Sequence, residues 1–116
     1  MKLAAALLGA LSLAGPPPSP ARLQVVANEF TFTLSRQQIV AGPAVIELVN
    51  MGMDPHDLRM QRIGGKRVYR IADVAPGERG ELDATLLPGR FRIWCAVADH
   101  RERGMRAMLR VLPRKR

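Results

Sequence analysis

Cysteine and histidine are scarce in this chain of 116 residues, which contains one cysteine, Cys95, and two histidines, His56 and His100. A single cysteine cannot form a disulfide within the chain. Structural zinc sites usually close with four cysteine or histidine ligands, so these three residues are too few for one. A metal site that uses all three must therefore be of another kind.

Long apolar runs are also scarce. The run at the start, residues 3–13, is about half of the roughly 20 residues that a transmembrane helix needs. It follows a basic residue and precedes a proline-rich segment, 15–20, which is the layout of a secretory signal peptide followed by an extended spacer. We therefore predict that residues 1–21 are signal peptide and spacer, with cleavage after Ala14 or Ala21, or alternatively an uncleaved anchor. We expect a secreted, periplasmic or cell-surface protein.

The remaining residues, 22–116, are enough for one hydrophobic core and too few for two. Apolar residues occur there in short runs separated by glycine and proline, with no long helical periodicity, a pattern typical of an all-β sandwich or barrel. The predicted strands cover residues 23–27, 30–34, 44–50, 57–63, 68–74, 81–86, 91–97 and 107–112. For residues 35–40, a short helical turn and a loop both fit.

Strand parity places three side chains that can bind metal on apolar faces, because alternate residues of a strand share one face. These side chains are Cys95, His56 and Met105, and each alternates with polar or charged neighbours. Their apolar partners on the same face are Phe91 and Ile93 for Cys95, Leu58 and Met60 for His56, and Leu109 and Val111 for Met105. We expect all three to point into the core.

With His100, these side chains offer one thiolate, two imidazoles and one thioether, which is the ligand set of a mononuclear blue copper site. One cysteine excludes a binuclear copper centre bridged by two thiolates, and two histidines are too few for a multicopper oxidase. Taken singly, each residue also has an ordinary explanation. Cys95 and Met105 would then be core residues, and His100 part of a solvated loop.

Several motifs resemble those of the cupredoxins, the type 1 blue copper proteins, over most of residues 29–112. The spacing Cys-x4-His-x4-Met is similar to that of rusticyanin and sulfocyanin, and the ending Gly-Met-x-x-x-Leu-x-Val is similar to that of plastocyanin-like domains. The segment 50–58, Asn-Met-Gly-Met-Asp-Pro-His-Asp-Leu, resembles the one that carries the first histidine ligand. Ala-Pro-Gly-Glu at 75–78 and Leu-Pro-Gly-Arg-Phe at 87–91 resemble the entrances of two hairpins.

The resemblance implies a cupredoxin-like Greek-key β-sandwich or barrel over residues 22–116 that binds one copper ion. His56, Cys95 and His100 are then the strong trigonal ligands, and Met105 is the weak axial one. The implied activity is single-electron transfer between partners by Cu(I)/Cu(II) cycling, without enzymatic catalysis, and His100 is the implied exit for electrons. The alternatives are a copper-binding or delivery protein outside the cytoplasm, and a metal-free interaction module.

Three residues near the ligands invite separate expectations. Many cupredoxins carry asparagine where this chain has Asp57, and that asparagine hydrogen-bonds to the cysteine loop. The extra negative charge of Asp57 puts this contact in question, and Asn50 is an alternative residue to tie the loop or a simple turn residue. Ala98 has an N–H where relatives often have proline, which would allow an additional donor to the Cys95 sulfur.

The net charge is strongly positive. Removing Lys2 with the signal peptide leaves 17 basic and 10 acidic residues, a net charge of +7. Such a field favours redox partners with acidic docking surfaces, at rates that fall with added salt. With few aromatic residues and no nucleic-acid motif, we expect no specific nucleic-acid binding. The basic tail, residues 114–116, would allow loose association with anionic membranes, and we expect a monomer.

Overall fold

The computed structural model describes residues 15–115, so residues 1–14 of the predicted signal peptide and spacer lie outside the described residues. Residues 15–20 are exposed and have no regular secondary structure, as expected for a proline-rich spacer. The described chain then forms nine strands and no helix, and hence no helix that could span a membrane. The strands are β1 (Ala21–Asn28), β2 (Thr31–Leu34), β3 (Gln38–Val40), β4 (Gly42–Asn50), β5 (His56–Arg62), β6 (Val68–Val74), β7 (Arg79–Leu86), β8 (Gly89–Trp94) and β9 (Arg106–Leu112).

These strands form two mixed sheets. One has the order β2-β1-β4-β7 and the other the order β3-β9-β8-β5-β6. The pairs β1/β4 and β3/β9 are parallel, and the other neighbours are antiparallel. The chain passes between the sheets several times, so strands that are distant in sequence become neighbours. The predicted all-β sandwich with a single domain is confirmed.

The core lies between the two sheets and follows the predicted alternation. The four-stranded sheet contributes Leu23, Val25, Ile46 and Leu48, and the five-stranded sheet contributes Leu58, Met60, Phe91, Ile93, Leu109 and Val111. All of these side chains are almost completely buried. Burying an aliphatic or aromatic side chain stabilises the fold by about 1.5–3 kcal/mol, so this double layer supplies a rigid support for the loops at its end.

Most predicted strand ends agree with the observed ones to within two residues, and the structure differs further in two places. Residues 38–40 form β3, a three-residue strand that pairs with β9 and buries only Ile39. Three residues are too few to show an alternating pattern in the sequence. This strand is therefore identified only from its hydrogen bonding to β9. In addition, β8 ends at Trp94 rather than at residue 97. The Cys95 amide still donates to the Met105 carbonyl at 3.1 Å, but the Met105 amide donates to the His100 carbonyl within the loop, so the pairing with β9 does not continue.

An irregularity in register marks the start of β5. His56 pairs with Val74 whereas Leu58 pairs with Ile71, so β6 has one extra residue here. Such a bulge re-aims the side chains beside it. His56 and Leu58 are fully buried as predicted, but Asp57 is also buried, although simple alternation places it on the outer face.

Replacing a core residue should destabilise the sandwich far more than replacing an exposed residue of the same type. We expect Leu48→Ala to lower the free energy of unfolding by about 2–5 kcal/mol, since it leaves a cavity between the sheets. Leu87→Ala, at a side chain that is 65% exposed, should change it by less than about 0.5 kcal/mol. Urea unfolding of the metal-free protein measures both values, and equal effects would contradict the assigned core.

Candidate metal centre

The cysteine and both histidines meet at one end of the sandwich. The Cys95 Sγ atom lies 3.7 Å from Nδ1 of His100 and 3.9 Å from Nδ1 of His56. The three potential ligand atoms all lie within 4.8 Å of one another. Cys95 and His56 are fully buried, and His100 is 5% exposed. Both imidazoles therefore turn the same ring nitrogen toward one sulfur atom.

The loop between β8 and β9 is closed by main-chain hydrogen bonds that hold its residues in place. The His100 amide donates to the Val97 carbonyl at 3.0 Å, and the Met105 amide donates to the His100 carbonyl at 3.1 Å. Gly104 has a φ of +125°, and a Cβ atom there would lie 3.1 Å from the Phe30 carbonyl oxygen. Only glycine suits this turn, after which Met105 points inward and is fully buried, as predicted.

Asp57 forms the contact that its extra charge had put in question. Its Oδ1 atom accepts a hydrogen bond from the Ala96 amide at 2.6 Å, and its Oδ2 atom accepts one from Nε of Arg59 at 3.2 Å. Arg59 thus offsets the additional charge. The side chain of Asp57 takes the place of a main-chain partner where β8 leaves the sheet, which explains its burial and fixes the residue next to Cys95.

Asn50 secures the neighbouring loop, residues 51–55, rather than the cysteine loop for which the sequence analysis considered it. Its Nδ2 atom donates to the Asp54 carbonyl at 2.7 Å and to the Val74 carbonyl at 2.9 Å, and its Oδ1 atom accepts from the Gly52 amide at 2.8 Å. The Asn50 side chain is fully buried, and it provides hydrogen-bond partners for these two carbonyls and this amide. Asn50 therefore positions the segment that leads into His56.

Glu29, which the sequence analysis did not single out, is brought to the His56 ring by the tertiary structure. Its Oε2 atom lies 2.7 Å from Nε2 of His56, and its Oε1 atom accepts a hydrogen bond from the Met53 amide. Both contacts lower the pKa of Glu29, with the Met53 amide as the larger cause. The carboxylate comes from the β1–β2 turn, 27 residues before His56, so no local motif connects the two.

The outer nitrogen of His100 also faces a carboxylate, but more loosely. Nε2 of His100 lies 3.5 Å from Oδ2 of Asp54, whose side chain is 47% exposed. The Phe30 ring is tilted against His100, with centroids 5.0 Å apart, and the His56 ring is 4.9 Å away. The resemblance implied that electrons leave through the solvent-facing edge of the His100 ring. Only a small part of this ring reaches the surface, and it is bordered by Phe30 and Asp54.

The surroundings of Cys95 favour the neutral thiol when no cation is present. Burial raises the pKa of the thiol, whereas the amides of Val97 and Asp57 act in the opposite direction and lower it. These two donors differ from the Ala98 amide that the sequence suggested, and Ala98 instead adopts a positive φ of 45°. A bound metal cation would reverse this balance, because a coordinating thiol loses its proton.

The sequence matches no protein-family model and no curated protein, but the fold is similar to several solved structures. Auracyanin from Roseiflexus castenholzii has a TM-score of 0.66 at 12% identity, over 83% of this chain and 100% of that chain. Auracyanin A, a "blue" copper protein from Chloroflexus aurantiacus, has a TM-score of 0.66 at 14% identity, over 80% and 99%. The Cu-containing nitrite reductase from Thermus scotoductus has a TM-score of 0.61 at 20% identity, over 84% of this chain but 29% of the enzyme.

The fold is therefore that of the cupredoxins, the class to which these blue copper proteins belong. Within that fold, His56, Cys95 and His100 lie close together as a ligand set that fits a single type 1 copper. The donor chemistry agrees, since one soft thiolate and two imidazole nitrogens suit copper.

Removing the Asp57 carboxylate should loosen the cysteine loop. We expect Asp57→Ala to lower the free energy of unfolding by about 1–3 kcal/mol, because the Ala96 amide loses its buried partner. Asp57→Asn keeps an acceptor oxygen and should restore most of this loss. Asp83→Ala, at an exposed residue of β7, serves as the control, and chemical unfolding of the metal-free protein measures all three. Equal stability of the Ala and Asn variants would contradict the role of the hydrogen bond.

Proposed function

We propose that this protein is a mononuclear blue copper protein that carries single electrons between redox partners. His56, Cys95 and His100 would hold the copper strongly, and the buried Met105 thioether would be a weaker ligand. The observation that carries this proposal is the convergence of two Nδ1 atoms on one buried sulfur, at 3.7 and 3.9 Å. When bound, copper would supply one-electron chemistry between Cu(I) and Cu(II).

Rigidity of the ligands supports electron transfer over copper delivery. Blue copper sites transfer electrons with the same ligand types in place in both oxidation states, so the protein must hold these ligands firmly. Here Cys95 directly follows strand β8, His56 begins strand β5, and the Asp57–Ala96 hydrogen bond joins the two segments. A delivery protein needs ligands that open to a partner, and buried ligands held in this way do not favour that.

Copper delivery remains the second candidate because of two methionines beside the centre. Met51 and Met53 are 65% and 85% exposed, in the loop that also carries Asp54. Exposed thioethers are soft ligands that suit Cu(I). This feature supports a role in copper capture, although the same side chains would also suit an apolar contact with a protein partner.

The comparison with nitrite reductase does not lead us to propose catalysis. This chain corresponds to 29% of that enzyme. Between Gly15 and Lys115, His56, Cys95 and His100 are the one group of three or more histidine, cysteine or acidic residues close enough to hold a metal ion. We therefore propose a carrier rather than an enzyme, acting as a monomer outside the cytoplasm after export by the signal peptide.

A basic groove next to Cys95 is the docking surface that we propose for acidic redox partners. Its charged lining consists of Arg92, Arg101 and Arg106 around Trp94. The guanidinium group of Arg101 lies over the indole ring, 4.8 Å from its centroid. Trp94 directly precedes Cys95, so an acidic partner bound here would lie one residue from the thiolate ligand. The arginines would attract such a partner over a range set by ionic strength.

The first test is the optical and EPR spectrum of residues 15–116 after addition of Cu(II). We expect an intense blue band from thiolate-to-copper charge transfer and a narrow copper hyperfine splitting, and we expect Cys95→Ser to abolish both. A Met51→Ala/Met53→Ala double variant is the matched control, and its band should be unchanged. A pale cupric spectrum that Cys95→Ser leaves unaltered would refute the electron-carrier proposal and favour copper handling or a metal-free role.

The docking proposal predicts a charge-specific effect on reaction rates. With hexacyanoferrate(III) as an anionic oxidant, Arg101→Glu should lower the rate constant at low salt by roughly threefold or more, because it reverses a charge beside the centre. Arg36→Glu changes the net charge equally but lies outside the groove, and should have a smaller effect. At about 1 M salt, where the Debye length is about 3 Å, the rates should converge. Equal effects of both substitutions would refute a localised docking site.

A further inference from the structure

The Glu29 carboxylate is built into the metal centre from outside the ligand set. Its two oxygens have different partners. One accepts a hydrogen bond from the Met53 amide, and the other lies 2.7 Å from Nε2 of His56. Gly52 leaves room for this arrangement. A Cβ atom at position 52 would lie 2.0 Å from Oε2 of Glu29, so a larger residue would displace the carboxylate.

This contact determines which nitrogen of His56 is free for a metal. The ring is fully buried, and a carboxylate at hydrogen-bonding distance from Nε2 keeps the proton on that nitrogen. The Nδ1 lone pair then faces Cys95. A carboxylate that accepts from the outer nitrogen of a ligating histidine also makes the ring a stronger donor to the metal.

Within residues 15–115, no lysine or arginine side chain forms an ion pair with Glu29. The ion pairs formed by Arg59, Arg79 and Arg103 in the described part of the chain involve other acidic residues. The charge of Glu29 therefore acts on the centre, together with that of a Cys95 thiolate. Two negative charges balance Cu(II) and exceed the charge of Cu(I), so they favour the oxidised state.

We propose that Glu29 is a positioning residue of the copper centre, which fixes the Nε2–H tautomer of His56 and lowers the reduction potential by stabilising Cu(II) over Cu(I). This inference rests on the proposed function. The corresponding contact of His100 with Asp54 is longer and more exposed, and is the weaker of the two.

The test compares the wild-type protein with Glu29→Gln. Glutamine has one acceptor oxygen and cannot serve both the Met53 amide and His56, and it carries no charge. We expect the affinity for Cu(II) to fall by about 10–100-fold and the affinity for Cu(I) to change much less. Each tenfold change in the ratio of these affinities raises the potential by about 59 mV. Redox titration and competition with chelators of each oxidation state measure the two quantities.

The matched control is Glu47→Gln, which removes a carboxylate that is bonded to Gln24 and Arg79 on the other sheet. It should leave the potential unchanged. A second variant, Gly52→Ala, keeps the charge of Glu29 but displaces its carboxylate, and it should weaken Cu(II) binding in the same direction. If Glu29→Gln does not fold, Gly52→Ala provides the test of Glu29 in its place, and unchanged Cu(II) affinity in this variant would contradict the inference.

A readout without copper separates the inference from the proposed function. In the metal-free wild type, 15N NMR should show neutral His56 protonated on Nε2, and Glu29→Gln should shift it toward a mixture of tautomers. A wild type without a blue band refutes the proposed function. A blue wild type whose potential and His56 tautomer are both unaffected by Glu29→Gln refutes the inference about Glu29.

Discussion

The metal centre depends on one constraint, namely that polar side chains buried at the end of an apolar sandwich must all have partners. An unpartnered buried polar group costs about 1–3 kcal/mol, and among the described residues no buried side-chain nitrogen or oxygen lacks a hydrogen bond. Buried Asn50 and Asp57 meet this requirement around the ligands, and the partly exposed Glu29 supplies a partner to buried His56. Because each also has a fixed position, the constraint produces a rigid site as well as a stable one.

The sandwich converts this local chemistry into a site by joining segments that are distant in sequence. His56 begins β5 and Cys95 follows β8, and these two strands are neighbours in the five-stranded sheet. The bulge opposite the start of β5 and the early end of β8 interrupt the main-chain hydrogen bonding at this end of the sheet. The Asp57 side chain accepts the hydrogen bond of the Ala96 amide there, in place of a main-chain carbonyl. The cysteine loop is therefore held in place where the regular pairing of the strands ends.

Much of the site could be predicted from the sequence because its ligands follow strand parity. Cys95, His56 and Met105 are all buried as predicted, and His100 joins the first two through a loop of fixed spacing. Glu29 could not be predicted, because its contact with His56 depends on the turn between β1 and β2 and on the space left by Gly52. Likewise, β3 exists only through its pairing with β9, and the burial of Asp57 depends on its hydrogen bond to the Ala96 amide, where β8 leaves the sheet.

Basic and acidic side chains lie in different places on this protein, so they act on different processes. The chain is strongly basic overall, yet the charged groups that face the imidazoles are the carboxylates of Glu29 and Asp54. Exposed arginines act on a partner through water, where salt screens charges beyond about 8–10 Å. The Glu29 side chain is 24% exposed, but its carboxylate contacts buried His56 directly at 2.7 Å, a distance far shorter than the screening length. In the proposed function, salt would therefore alter how partners associate, while the carboxylates near the imidazoles would influence the stability of each copper oxidation state.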